Sequence, residues 1–246
     1  MEKRKSLTGK KKLWLGIPVV VVLLLAGFCV WYVSDYYHAE PSVNTYLTSG
    51  GNVTVTIEKN MIFLDGSGTD TAMIFYPGAK VEYTAYVPLF YALAEQGIDC
   101  FVVKMPCNLA MFGLGRAGDI MESYTYENWY FSGHSLGGAM GASYVLDHKE
   151  EFEGIVFLAS YPTGDLSQSG LSVLSIYGSE DMVLNRENLE AGRGLMPGNY
   201  TEVCIEGGNH AWFAYYGEQA GDGVATITKE EQQEQTVEAI MNYIGK

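Results

Sequence analysis

Ser135 sits in the run Gly133-His134-Ser135-Leu136-Gly137-Gly138, with a glycine two residues to either side of it. A serine hydroxyl becomes a useful nucleophile only when a base takes its proton and a further group orients that base. The chemistry this run raises is therefore attack on an acyl carbonyl through a covalent intermediate. Four histidines, His38, His134, His148 and His210, form the pool of imidazole bases. The motif is too short to stand alone, and context decides. It directly follows the strand-like Trp129-Tyr130-Phe131 and directly precedes the small-residue stretch Gly137-Gly138-Ala139-Met140-Gly141-Ala142, so the serine falls on a sharp turn from strand to helix. Gly133 and Gly137 free that turn of side-chain bulk.

The elements around the turn alternate. Val53 to Ile57 and Met61 to Leu64 read as an opening β-hairpin with Lys59-Asn60 near its turn. Ala72 to Tyr76 is a strand ending at Pro77-Gly78, and a helix is expected from about Glu82 to Gln96, stopped by Gly97. Strands follow at Ile98 to Met105, Asn128 to Ser132, Ile155 to Ala159, Leu171 to Tyr177 and Thr201 to Ile205. Helices are expected near Asp119 to Tyr124, over Leu136 to His148 and from about Glu230 to Ile244. Continuous apolar strands between helices predict an α/β domain with a mostly parallel sheet covered on both faces.

With the serine on that strand-turn-helix junction, the sequence resembles the α/β-hydrolase superfamily over about residues 53 to 245. Tyr76-Pro77-Gly78, Tyr177-Gly178-Ser179-Glu180-Asp181 and Gly207-Gly208-Asn209-His210 look like a compact bacterial serine-hydrolase group related to the dienelactone-hydrolase type. That type carries a cysteine nucleophile, so its substrate does not transfer to a chain with Ser135. The resemblance implies the chain order nucleophile, acid, histidine. His38 lies beside the N-terminal apolar segment, His134 within the turn and His148 at the end of the next helix, which leaves His210, after the last strand, as the base. Asp181 matches the family's acid after the preceding strand, with Glu180 and Asp165 as alternatives. Asp222 reads as a loop or turn residue. The oxyanion donors implied are the N–H of Leu136 and that of Ala79, with Lys80 the alternative to Ala79 because Pro77 replaces the family's histidine.

The resemblance implies no metal and no organic cofactor. About ten residues separate the strand ending near Ser160 from the one starting near Leu171, too few for a large cap domain, so an open site is expected. Partial cover would come from residues 107 to 118 and 185 to 199, and Tyr83, Phe112, Trp212 and Phe213 are candidates for its mouth. A carboxylic-ester hydrolase is the leading expectation. Acyl transfer to an alcohol through the same acyl-enzyme is the alternative, and a domain that binds without catalysing is a third reading.

Composition bounds the partners. From Asp35 onward 9 Lys and Arg face 28 Asp and Glu, a net charge of −19 that repels nucleic acid. The expected substrate is a small-molecule or lipid acyl compound. Cys100, Cys107 and Cys204 read as buried thiols, with no zinc spacing among them. Residues 13 to 33 form 21 residues without a charge, bordered by Trp14 and by Trp31-Tyr32. All six basic residues of the N-terminal region, Lys3 to Lys12, precede them. The expectation is a cytoplasmic basic tail over residues 1 to 12, one transmembrane anchor over 13 to 33, a polar spacer over 34 to 52 and an extracytoplasmic domain over 53 to 246. The competing reading is a cleaved signal peptide. Against it, the apolar stretch is long, no small-x-small site follows, and Phe28 spoils the lipoprotein-like Leu25-Ala26-Gly27-Phe28-Cys29.

Overall fold

The computed structural model describes the backbone of residues 9–245 and the side chains of residues 18–245. The chain divides into two units, a first ending at Tyr36 and a second beginning at Tyr37. Among its described residues the first holds a single helix, α1 (Gly9–Ser34), with Pro18 inside it and exposed apolar side chains from Val19 to Trp31. Among the described residues no helix is long and apolar enough to cross a membrane, so the span expected over residues 13 to 33 is not supported here. The basic side chains of residues 1 to 12 lie outside the described residues.

In the second unit, residues 37 to 52 pack onto the domain and are not a free polar spacer. Tyr37 donates its N–H to the Lys80 carbonyl at 2.7 Å, and Val43, in a short 3-10 turn (Pro41–Leu47), is buried. The strands that follow are β1 (Thr54–Ile57), β2 (Met61–Asp65), β3 (Thr71–Tyr76), β4 (Asp99–Val103), β5 (Asn128–His134), β6 (Gly154–Leu158), β7 (Ser172–Gly178) and β8 (Tyr200–Ile205). They form one sheet in the order β1-β2-β4-β3-β5-β6-β7-β8. The β1–β2 and β2–β4 pairs are antiparallel and all others parallel, as the opening hairpin and the later apolar strands predict.

Both faces are covered. Helices α2 (Val87–Glu95) and α6 (Lys229–Ile244) pack with Phe75, Val156 and Ile176 on one side. On the other, α3 (Arg116–Ser123) and α4 (Leu136–Asp147) pack with Ile74, Phe131 and Phe157. Because β3, β4, β6 and β7 are buried on both faces, their sequences show no alternation of apolar and polar residues.

Three differences from expectation have local causes. The helix predicted over 82–96 is a 3-10 turn (Tyr83–Tyr86) followed by α2, because Pro88 sits in the first turn of the α-helix, where a missing N–H costs nothing. An unpredicted helix, α5 (Arg186–Arg193), starts at Asn185, whose side chain caps the Asn188 N–H at 2.9 Å. Of the cysteines expected to be buried only Cys100 is; Cys107 is exposed in the loop after β4, and Cys204 is exposed on β8, the last strand of the sheet.

Candidate active site

Ser135 stands at the carboxyl end of β5, near the middle of the sheet, with φ 50° and ψ −123°. A non-glycine residue there carries a strain of about 1–3 kcal/mol, which surrounding contacts must hold. The Ser135 N–H donates to the Leu158 carbonyl at 2.9 Å, and the Ser135 carbonyl accepts from Ser160 Oγ at 2.7 Å and from the Ala139 N–H at 3.2 Å. These bonds fix the turn and leave the half-buried hydroxyl to project from it. The small residues after it have a steric cause. A Cβ on Gly137 would stand 2.2 Å from the Tyr76 carbonyl oxygen, and one on Gly141 would stand 1.8 Å from the Phe131 ring. The helix can lie this close to β3 and β5 only without those side chains.

His210 follows β8, and its Nδ1 lies 2.8 Å from Asp181 Oδ2 in the loop after β7. Both side chains are almost completely buried. The other carboxylate oxygen, Asp181 Oδ1, accepts the N–H groups of Val183 at 2.9 Å and Leu184 at 2.8 Å, so the carboxylate has one orientation. The alternatives stay apart from the imidazole: Glu180 accepts from Ser179 Oγ, and Asp165 is exposed and accepts from the Ser167 N–H. Asp222 does serve its loop, taking the N–H groups of Ala211, Met182 and Gly223 and so tying the loop of His210 to that of Asp181.

Of the two candidates in the loop after β3, the Lys80 N–H is committed to the Asn108 carbonyl at 2.8 Å. Among the described residues the Ala79 N–H has no hydrogen-bond partner. Leu136 opens α4, where the N–H is one of those a helix leaves unpaired within itself. The N–H groups of Ala79 and Leu136 are thus left without a partner among the described residues.

Ser135, Leu136 and His210 line one cavity of about 210 Å³, walled by Ala139, Ala159, Tyr161 and Leu184. The aromatic residues expected at its mouth do not line it. Phe213 is wholly buried in the core, Phe112 is largely exposed, and Tyr83 and Trp212 pack against the α2 and α6 side of the sheet. Of the two segments expected as cover, 185–199 contributes Asn185 to the wall and 107–118 contributes nothing. Among the described residues no group of three or more His, Cys, Asp or Glu is placed to hold a metal ion.

The model of the Alpha/beta hydrolase family matches residues 72–234, which contain the turn, the acid loop and the histidine loop. The chain belongs to the alpha/beta hydrolase family. Among curated proteins none matches it. Solved alpha/beta hydrolases share its fold, in keeping with the dienelactone-hydrolase resemblance. A dienelactone hydrolase from Anabaena variabilis is 13% identical with a TM-score of 0.59, covering 78% of this chain and 99% of that one. The carboxylesterase CesB from Bacillus subtilis is 10% identical with a TM-score of 0.56, covering 82% and 95%. A membrane phospholipase A described as a bacterial virulence factor is 12% identical with a TM-score of 0.59, covering 96% and 100%.

Several residues that shape the site of this alpha/beta hydrolase were not singled out from sequence. Arg186 donates through Nη2 to the carbonyls of Gly178, Ser179 and Asp181 at 2.8 to 3.3 Å, clasping the acid turn. Gln232 of α6 holds the residue before the histidine through both of its backbone groups: its Oε1 accepts the Asn209 N–H at 2.9 Å, and its Nε2 donates to the Asn209 carbonyl at 2.8 Å. Asn185, Glu187 and Arg193 form the cap and charge pattern of a short helix and were the available sign of α5, which follows Arg186 onward.

Proposed function

We propose that the protein is a serine hydrolase that cleaves carboxylic esters through an acyl-enzyme, with Ser135 as nucleophile, His210 as base and Asp181 as the group that orients the base. The observation that carries this reading is the buried 2.8 Å pairing of His210 Nδ1 with Asp181 Oδ2, while His210 and Ser135 line one cavity. In this scheme His210 Nε2 takes the proton of Ser135 as Oγ bonds to the acyl carbon. The oxyanion accepts from the N–H groups of Leu136 and Ala79. Collapse breaks the ester bond and sends the proton from Nε2 to the departing alcohol. Water then attacks the acyl-enzyme with its proton passing to His210, and the acid leaves as Ser135 regains its hydrogen.

A fluorophosphonate probe tests this directly. The expected result is one covalent adduct, located on Ser135 by peptide mapping, together with turnover of a short-chain chromogenic ester. A folded protein that takes no label and turns over no ester sinks the reading. Product that appears as a new ester whenever an alcohol is supplied would assign acyl transfer instead.

We place the enzyme at a membrane, anchored by residues 13 to 33 with the basic residues Lys3 to Lys12 on the cytoplasmic side and the hydrolase domain opposite. The support is the charge-free run with its flanking tryptophans and its one-sided basic cluster, and the similarity over 96% of the chain to the membrane phospholipase A. After carbonate extraction of cells making the full chain, the protein is expected in the membrane pellet. Recovery in the supernatant contradicts anchoring.

A further inference from the structure

One buried set of polar side chains beneath the site has no part in the chemistry above. The N–H of Gly78, in the oxyanion loop, donates to Tyr86 Oη at 3.1 Å. Tyr86 Oη lies 2.7 Å from His134 Nδ1, and His134 Nε2 lies 3.1 Å from the carbonyl oxygen of His210. Tyr86, His134 and His210 are each exposed by 1% or less, so water does not compete for any of these bonds.

The chemistry of the end groups sets every proton between them. A carbonyl oxygen only accepts, so His134 Nε2 carries hydrogen. Burial, and next the neighbouring His210, hold the His134 imidazole well below the ordinary histidine range, so the ring is neutral and its Nδ1 is bare. Nδ1 therefore accepts the Tyr86 hydroxyl hydrogen, and the Tyr86 oxygen is left to accept the Gly78 N–H. All bonds of the chain are satisfied in this one arrangement. Packing leaves no slack around it: a Cβ on Gly78 would stand 2.8 Å from His134 Nδ1 and 2.9 Å from Tyr86 Oη.

We infer that Tyr86 and His134 are positioning residues, whose hydrogen-bonded relay holds the oxyanion loop at Gly78-Ala79 and the loop of the base His210 in fixed register on either side of Ser135. The residue before the nucleophile is thus a side-chain strut between two loops, beside the backbone bond from Tyr215 N–H to the Ala85 carbonyl at 2.8 Å. The inference rests on the serine-hydrolase reading for its effect on rate, though the relay itself is observable without turnover.

The test compares the full chain with Tyr86→Phe and His134→Gln. In the wild type, histidine-selective ¹⁵N spectra are expected to show His134 as the single Nε2–H tautomer, and the Gly78 amide is expected to exchange slowly. Tyr86→Phe is expected to lower kcat by about 10- to 100-fold while KM moves less than about twofold, because an oxyanion donor is misplaced and no substrate contact is lost. It should also release Gly78 to exchange and let His134 sample both tautomers. His134→Gln keeps a donor for the His210 carbonyl and loses the acceptor for Tyr86, so its Gly78 amide should be released as well. The inference is overturned by an Nδ1–H or titrating His134 in the wild type, a result that needs no variant to fold. It is also overturned by a folded Tyr86→Phe with unchanged kcat and a protected Gly78. Wild type that neither labels at Ser135 nor turns over ester sinks the hydrolase reading instead, and the two spectroscopic readouts still decide the relay.

Discussion

Ser135→Ala is expected to remain folded and to lose ester hydrolysis by a factor of about 10⁵ to 10⁶ in kcat, with no fluorophosphonate adduct. Alanine keeps the Cβ and the same restriction at φ 50°, so the bonds that hold the turn, from Ser135 N to Leu158 and from Ser160 Oγ to the Ser135 carbonyl, are untouched. The substitution removes one oxygen that faces a cavity, and unfolding stability should shift by no more than about 0.5 kcal/mol. What goes is the bond-forming atom itself, and water attacking from the cavity receives only what oxyanion stabilisation and binding still supply. The measurement is kcat on a short-chain chromogenic ester beside a thermal unfolding curve. A variant that keeps a tenth of the activity assigns the nucleophile elsewhere.

Asp181→Asn is expected to cost about 10⁴ in kcat with KM nearly unchanged, which corresponds to roughly 5 kcal/mol in the barrier. The argument lies in which hydrogens fit. Asp181 Oδ1 already accepts two backbone N–H groups, from Val183 and Leu184, so the carbonyl oxygen of an asparagine must take that place and its NH₂ must face His210. An NH₂ opposite Nδ1 requires Nδ1 to be an acceptor. The ring hydrogen then moves to Nε2, the atom that should receive the proton of Ser135. The base is held in place, but in the wrong tautomer. Single-turnover acylation rates check this, and a loss smaller than tenfold would hand the acid's part to another carboxylate.

The parts of the fold and site that were legible share a physical property. Ser135 is announced by its neighbours in the chain, because a strand, a tight turn and a close-packed helix demand glycine at Gly137 and Gly141 wherever they occur. The sheet was legible because strands buried on both faces, such as β6 and β7, are written as continuous apolar runs. His210 and Asp181 emerged through chain order once the family resemblance was drawn. Tyr86 did not emerge, since its partner His134 is 48 residues away and nothing local distinguishes a tyrosine that hydrogen-bonds in a core from one that merely fills it. The exposure of Cys204 was hidden for a similar reason: an apolar run does not say that its strand stands last in the sheet. The mouth residues were misjudged because which aromatic rings line a cavity depends on how loops from several strands meet, and Tyr161 and Leu184 reach it while Phe213 is drawn into the core.

The clasp of Gln232 on the N–H and the carbonyl of Asn209 has a consequence for how the molecule comes into being. Synthesis runs from the N-terminus, so the hydroxyl of Ser135 exists, and its turn can form, well before residue 210 is made, and the loop carrying His210 lacks the Gln232 clasp until α6 docks. On the proposed mechanism, a chain that stalls or is clipped ahead of α6 therefore has its nucleophile beside a less firmly held base. Under the proposed function, ester turnover is then expected only once α6 has docked onto the histidine loop.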